Sequence, residues 1–259
     1  MRANNLNKVY FIDLDGTLLN DKKELSVFNE IMLEKAHKNG NKVVIVTGRG
    51  IYFVNSLGLG KYLVFANNGA AVFENGKMID VTPLRESTIK TVLRLHPNNT
   101  VIEYGEDEPV AALTTFETPE QAQFFVDWMT KNSTGRFYFW KDGKTVETTA
   151  AGVNKEAAFG YMLENISYHK LVQFISFGDE LSDVQLAERV NLAIAPNTVD
   201  PEAMDAFDYV SRMSSNENYV GHFIGISESV ENETLSPRSL LKEFIELEKV
   251  FSLDKLKEF

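Results

Sequence analysis

The sequence predicts an α/β protein: a doubly wound parallel sheet into which a smaller α+β domain is inserted. Three observations lead to this prediction. Short apolar runs alternate with helical patterns at both ends of the chain, in the order of βαβ units. The middle of the chain follows a different order, helix, strand, strand, helix, strand. The length of 259 residues accommodates two modest domains of this kind.

The first part of the chain carries three predicted strands and one predicted helix. The strands are the apolar runs at 8–14, 42–47 and 62–66. Helical spacing over 24–39, ended by Gly40, predicts a helix between the first two strands. A reversal of the chain near the sheet edge is expected at 67–69 and at the Asn75-Gly76 turn.

The middle part predicts a compact α+β unit over residues 83–149. Helical patterns cover 85–95 and 119–131, and strand patterns cover 100–104, 110–115, 136–140 and 144–148. Its aromatic side chains are expected to form a core rather than a platform on which a ligand stacks. These residues are Phe124, Phe125, Trp128, Phe137 and Phe139.

After Gly152 the alternation of strand and helix resumes. Helices are predicted at 155–164, 181–189 and near 201–206, and strands at 171–177, 191–195 and 209–211. The prediction is therefore a discontinuous core domain of 1–82 and 150–226, an inserted domain of 83–149, and a helical C-terminal tail of 227–259. The tail has no evident place in the sheet.

Composition excludes several classes of function. The 26 Lys and Arg against 37 Asp and Glu give a net charge of −11, which disfavours nucleic acid and anionic membranes as partners. The absence of cysteine excludes disulfides, thiolate metal sites and cysteine nucleophiles. No signal peptide and no apolar run of membrane-spanning length is found. We therefore expect a cytoplasmic protein, a monomer or weak homodimer.

Acidic residues follow two of the predicted strands, where doubly wound proteins place their ligands. Asp13 and Asp15 follow the first strand, and Asp179 and Asp183 follow the strand at 171–177. Carboxylates so close repel one another unless a proton or a cation lies between them, and these residue types suit Mg²⁺. In the alternative interpretation Asp13 and Asp15 only begin a turn, and Asp183 only complements a helix dipole.

Two further segments suit an anion. Thr47-Gly48-Arg49 places a hydroxyl, a flexible amide and a guanidinium just before a predicted helix. Lys155 opens the helix that follows the insertion, although a lysine there can equally be a solvated surface residue.

These four segments, in this order and each at a strand end or helix start, resemble the haloacid dehalogenase superfamily of phosphohydrolases over about residues 8–226. The resemblance implies a Rossmann-like core with a cap domain, and it implies a role for each site residue. Asp13 would be the nucleophile, Asp15 the general acid and base, Thr47 and Lys155 the phosphate holders beside Gly48 and Arg49, and Asp179 with Asp183 the metal-side acids. The inserted domain and Asn67-Asn68-Gly69-Ala70 resemble the Cof-like branch, which includes many sugar and small-metabolite phosphatases.

The function that this resemblance implies is a Mg²⁺-dependent phosphatase of small phosphorylated metabolites, acting through an aspartyl-phosphate. Mg²⁺ would bind Asp13, the backbone carbonyl of Asp15, Asp179 and Asp183. Two alternatives stay open. A phosphomutase would return the phosphoryl group to a sugar and need an activating bisphosphate, whereas a non-catalytic binder of phosphorylated metabolites would show no turnover.

Overall fold

A computed structural model describes residues 8–96, 98–166, 172–229 and 236–255. The strands are β1 (Lys8–Ile12), β2 (Lys42–Val46), β3 (Leu63–Ala66), β4 (Ala71–Glu74), β5 (Lys77–Val81), β6 (Thr100–Gly105), β7 (Glu108–Thr115), β8 (Arg136–Phe139), β9 (Thr145–Thr149), β10 (Gln173–Phe177), β11 (Leu192–Ala195) and β12 (Tyr209–Val210). The α-helices are α1 (Val27–Lys38), α2 (Ile51–Ser56), α3 (Glu86–Leu95), α4 (Pro119–Asn132), α5 (Ala157–Asn165), α6 (Val184–Ala187), α7 (Tyr219–Ser229) and α8 (Pro237–Lys255).

The chain divides into two compact units. One unit is Met1–Val46 together with Ala158–Phe259, and the other is Thr47–Ala157. The second unit thus includes residues 47–82 and 150–157 as well as the inserted residues 83–149. The boundaries drawn from the sequence stay a prediction.

The first unit is built on five parallel strands in the order β12-β11-β10-β1-β2. Phe11 of β1 packs against Phe159 of α5, whereas Tyr10 bonds to Ser227 of α7 at 2.7 Å. Because neighbouring residues of a strand point to opposite faces, helices cover both faces of this sheet. The predicted α/β fold class with its doubly wound parallel sheet is confirmed.

The C-terminal helix α8 packs on the first unit outside its sheet. Leu240, Phe244 and Glu248 recur every four residues and are all buried, so one face of the helix is covered. The ring of Phe244 lies 5.4 Å from that of Phe223 in α7 and 6.3 Å from that of Tyr209 in β12. This face of α8 is therefore part of the core of this unit.

The buried carboxylate of Glu248 fixes α8 to the end of the edge strand. It accepts hydrogen bonds from the hydroxyls of Tyr209 and Ser211 and from the backbone N–H of Arg212, the last at 3.0 Å. Burial and the hydrogen bond to Glu248 raise the pKa of Tyr209 well above its usual range, so its hydroxyl stays a donor at neutral pH.

Replacing Phe244 by Ala is expected to lower the free energy of unfolding by about 3–5 kcal/mol, because it empties a buried aromatic site. Urea denaturation measures this loss, and the exposed Val250→Ala is the matched control. The fraction of the variant that stays folded should keep its kcat, because α8 carries none of the candidate site residues. A lower kcat in fully folded Phe244→Ala would instead link the helix to catalysis.

The second unit contains the antiparallel strands β3, β4 and β5 and the four-stranded antiparallel sheet β6-β7-β9-β8. Helices α3 and α4 pack on one face of the four-stranded sheet. The core between them consists of apolar side chains from both helices and the two central strands. Its buried members are Leu84, Val92, Ala112, Phe116, Ala122, Phe125, Met129 and Val146.

The predicted aromatic core of this unit is only partly correct. Phe125 is buried, and Trp128 and Phe137 pack against the core. Phe124 and Phe139 are 73% and 40% exposed, so their assignment to the core is wrong. The buried face of α4 runs through Ala122, Phe125 and Met129, and Phe124 points about 100° away from Phe125 toward solvent. Phe139 ends an edge strand.

Several predicted helices are shorter in the structure. The pattern over 181–189 folds as a 3₁₀ turn, Leu181–Asp183, followed by the single turn of α6, and the pattern near 201–206 gives only the 3₁₀ turn Met204–Ala206. Residue 171, where one strand was predicted to begin, lies outside the described residues. Within the described ranges, no helix has the length and apolar character that crossing a membrane requires.

Candidate active site

The sheet of the first unit brings two acidic segments to the same edge. Ile12 pairs with Phe177 at the last register position of β1 and β10, so the two strands end level with each other. The backbone N–H of Asp13 donates to the carbonyl of Phe177 at 3.0 Å. Asp13 and Asp179, which follow these strands, are neighbours for that reason.

The structure brings together the carboxylates of three of the four residues predicted to bind the metal. Asp13, Asp179 and Asp183 are 4%, 1% and 3% exposed. One carboxylate oxygen from each lies within 4.8 Å of the others. Buried carboxylates at such separations repel strongly unless a cation or a proton lies among them. A set made only of carboxylate oxygens fits a hard divalent cation such as Mg²⁺.

Hydrogen bonds hold these carboxylates in place. Thr17 donates its hydroxyl to Asp179 at 2.9 Å. Asp183 accepts from the backbone N–H groups of Asp179 and Glu180 at 3.0 and 3.2 Å. A β-carbon at Gly178 would lie 2.5 Å from the carboxyl carbon of Asp183, so only glycine allows this approach. Asp183 therefore stabilises the turn that follows β10 and also belongs to the acidic cluster.

Tyr219 is a further residue of this site, which the sequence analysis missed. Its side chain is fully buried with its hydroxyl beside Thr17. Burial and the nearby Asp179 raise the pKa of Tyr219 well above its usual range, so it stays neutral. The chain before its helix is a 3₁₀ turn, Ser215–Glu217, in which Ser214 and Glu217 form a capping box.

Asp15 stands apart from the three clustered carboxylates. It is partly exposed and forms an ion pair with Lys23 at 2.6 Å. Gly16 has φ 85°, which turns the chain away directly after Asp15. The structure thus gives the two acids of the first segment different surroundings, Asp13 buried and Asp15 near solvent.

The four predicted phosphate-binding residues belong to the second unit. The buried hydroxyl of Thr47 accepts from the N–H of Arg49 at 3.1 Å and still has a proton to donate. The loop after β3 is bonded to this segment, because Asn68 donates its N–H to the carbonyl of Thr47 at 2.8 Å and Asn67 donates to that of Arg49 at 3.1 Å.

Lys155 is 1% exposed, so it is not the solvated lysine of the alternative interpretation. It lies in the turn before α5, because this helix begins at Ala157, two residues later than predicted. The loop after β3 abuts this turn, since a β-carbon at Gly69 would lie 2.8 Å from the carbonyl of Asn154. Thr47, Gly48 and Lys155 are thus arranged around one loop.

Arg49 has surroundings that the sequence did not predict. Its guanidinium lies 4.8 Å from the ring centroids of both Phe53 and Trp140. Stacking between aromatic rings orients a guanidinium but leaves its N–H edge able to donate. The role of Arg49 toward phosphate stays a prediction.

Known proteins are similar to this chain over most of its length. The family model described as haloacid dehalogenase-like hydrolase matches residues 10–104 and 96–224. The 5-amino-6-(5-phospho-D-ribitylamino)uracil phosphatase YcsE of Bacillus subtilis is 25% identical over 225 residues, which are 79% of this chain and 89% of that protein. Phosphoglycolate phosphatase 1 of Saccharolobus solfataricus is 22% identical over 221 residues, covering 80% and 90% of the two chains.

A solved structure shares the fold. The haloacid dehalogenase-like hydrolase from Bacteroides thetaiotaomicron superposes with a TM-score of 0.72 at 17% identity, covering 85% of this chain and 98% of that one. The family model spans most of the chain. The chain therefore belongs to the haloacid dehalogenase-like hydrolases, as the sequence predicts.

Proposed function

We propose that this enzyme is a Mg²⁺-dependent phosphatase that hydrolyses small phosphorylated metabolites, sugar phosphates or related phosphomonoesters, through an aspartyl-phosphate. The observation that carries the proposal is the cluster of Asp13, Asp179 and Asp183 at the ends of β1 and β10. Phosphoric monoester hydrolysis is the activity in the names of the curated relatives.

Asp13, Asp179 and Asp183 would hold the cation, together with the backbone carbonyl of Asp15. When bound, Mg²⁺ would supply positive charge that lets a phosphate dianion approach these carboxylates. Thr17 and the backbone N–H groups of Asp179 and Glu180 keep the carboxylates oriented by the hydrogen bonds described above.

Asp13 would perform the first displacement. A carboxylate oxygen of Asp13 attacks phosphorus, the bond from phosphorus to the ester oxygen breaks, and Asp15 gives its proton to the leaving alkoxide. In the second displacement water attacks the aspartyl-phosphate, Asp15 takes the proton from that water, and the bond from phosphorus to Asp13 breaks. The products are an alcohol and inorganic phosphate.

Lys155 and Thr47 would stabilise the phosphoryl group through both displacements. A positioned cation neutralises charge on the equatorial phosphate oxygens, and the hydroxyl of Thr47 donates a hydrogen bond. The exclusion of Lys155 from water strengthens its effect on a bound anion.

Removing divalent cations with EDTA is expected to reduce phosphate release to background, and added Mg²⁺ should restore it. Binding can be measured without turnover, because Mg²⁺ should raise the Tm of the wild type. Asp179→Asn should lose this rise in Tm, whereas the exposed Asp205→Asn should keep it. Full activity after exhaustive chelation, confirmed by metal analysis, would contradict the proposal.

The reaction product distinguishes the phosphomutase alternative from the proposed phosphatase. Release of inorganic phosphate without any added bisphosphate favours the phosphatase, whereas conversion of one sugar phosphate into another favours the mutase. The substrate itself is not fixed by the relatives, because their names point to different alcohols, a ribityl chain in one and glycolate in the other.

A further inference from the structure

The loop between β3 and β4 has an unusual backbone beside the phosphate-binding candidates. Residues 67–69 all have positive φ, 49°, 57° and 97° in turn. This conformation is costly for most residues and is tolerated best by asparagine and glycine. The N–H of Asn68 is bonded to Thr47, and Gly69 lies against Asn154, so the loop is held beside both phosphate-binding segments.

The side-chain amide of Asn68 has a defined orientation. Its nitrogen donates to the carboxylate of Glu147 at 2.9 Å, and a carboxylate can only accept, so the amide oxygen must point away from Glu147. Asn68 is 3% exposed. Among the described residues, none donates a hydrogen bond to its Oδ1. A buried acceptor without a donor is rare and calls for an explanation.

Glu147 reaches this loop from the face of the inserted sheet that carries no helix. Its neighbour Val146 is part of the core beneath α3 and α4, so Glu147 points to the opposite face. Tyr138 lies directly across from Glu147 on β8, and the hydroxyl of Tyr138 is bonded to the carbonyl of Val153 at 2.6 Å. The pairing of β8 and β9 therefore holds Glu147 in position, and the hydrogen bond to Glu147 sets the orientation of the Asn68 amide.

Asn68 and Glu147 border the space beside Gly48. A β-carbon there would lie 3.4 and 3.6 Å from the amide nitrogen and oxygen of Asn68 and 3.5 Å from Glu147. Because Gly48 carries no side chain, nothing of this residue separates the phosphate-binding segment from the amide of Asn68. A ligand group that reaches Oδ1 of Asn68 from this segment must be a donor, because Oδ1 can only accept.

We propose that the amide oxygen of Asn68 accepts a hydrogen bond from a hydroxyl group in the alcohol part of the substrate, so that polyol phosphates are preferred. Glu147 acts as a positioning residue that keeps the acceptor side of the amide turned toward the substrate. This inference rests on the proposed phosphatase function. On this inference phosphorylated carboxylic acids are poor substrates, because a substrate carboxylate cannot donate a hydrogen bond to Oδ1 of Asn68.

The test compares kcat/KM for ribitol 5-phosphate, for 1-pentyl phosphate, which has the same carbon chain without hydroxyls, and for phosphoglycolate. The wild type should prefer ribitol 5-phosphate. Asn68→Gly removes the side chain but suits the positive φ, and it should reduce the preference over pentyl phosphate about tenfold, mainly through KM. The wild-type preference should be kept by Glu108→Gln, a matched change at an exposed carboxylate of the same sheet.

Glu147→Gln tests the positioning role. A glutamine amide can donate to Oδ1 of Asn68, which lets the asparagine amide turn over and present its nitrogen to the substrate. The variant should therefore lose preference for ribitol 5-phosphate and improve relative to the wild type on phosphoglycolate. A purely structural role of Glu147 would instead lower kcat/KM equally for all three compounds.

Calorimetric binding of the same three compounds to Asp13→Asn protein, with and without Asn68→Gly, measures the preference without turnover. The inference is overturned if Asp13→Asn protein that keeps Asn68 binds ribitol 5-phosphate and pentyl phosphate with equal affinity. It is also overturned if Asn68→Gly leaves the ratio of the two affinities unchanged. If no phosphomonoester is hydrolysed, the phosphatase proposal fails, and the binding ratios still decide the role of Asn68.

Discussion

Replacing Asp13 by Asn is expected to reduce phosphatase turnover to background. The change keeps the size of the side chain but removes the attacking oxygen and one negative charge from the buried cluster with Asp179 and Asp183. No phosphoenzyme should form in acid-quenched single-turnover samples. Stability should not fall, because the change relieves repulsion among buried carboxylates.

Asp15→Asn is expected to behave differently, because it keeps the backbone carbonyl and loses only the proton donor. The rate on an alkyl phosphate should fall by about 10² to 10⁴. An aryl phosphate should suffer less, since its leaving group needs little protonation. The substitution also breaks the ion pair with Lys23, so Lys23→Met, which breaks the same pair and leaves the acid, is the control.

Single-turnover kinetics of both variants on the two substrates decide the assignment. Substantial turnover in Asp13→Asn would exclude Asp13 as the nucleophile. Equal impairment of Asp15→Asn on aryl and alkyl phosphates would exclude Asp15 as the general acid. A loss in Lys23→Met as large as that in Asp15→Asn would assign the effect to the ion pair.

The strand ends of the first unit could be predicted from sequence because buried parallel strands are continuous apolar runs bounded by polar residues. Asp13 and Asp179 each follow such a run, and parallel strands that end level place their following residues together. The order of strands and helices in the inserted domain followed from similar local patterns.

What could not be predicted depends on contacts between residues far apart in the chain. The hydrogen bond from Asn68 to Glu147 joins residues 79 positions apart. Nothing near Glu147 in sequence marks it as buried, since it alternates with Val146 in an ordinary strand pattern. Likewise, the exposure of Phe124 beside the buried Phe125 depends on which face of α4 meets the sheet.

Lys155→Met is expected to lower kcat/KM by about 10² to 10³, by analogy with the loss of one positioned electrostatic donor. Methionine keeps the length and apolar stem of lysine but carries no charge, so the phosphoryl group loses a buried cation. Inhibition by inorganic phosphate should weaken in parallel, because the product phosphate is an anion that the same ammonium group binds. Thermal denaturation should show a folded protein, since methionine suits a buried position.

The matched control for this prediction is Lys77→Met, which removes the same charge from an exposed position of the same unit. It should leave both kcat/KM and phosphate inhibition unchanged, because the exposed charge is screened by solvent and salt. Equal, small effects of the two variants would show that Lys155 acts only through the net charge. Loss of kcat/KM in Lys155→Met with unaltered phosphate inhibition would exclude a phosphate contact and assign Lys155 to holding the loop around Asn68 and Gly69.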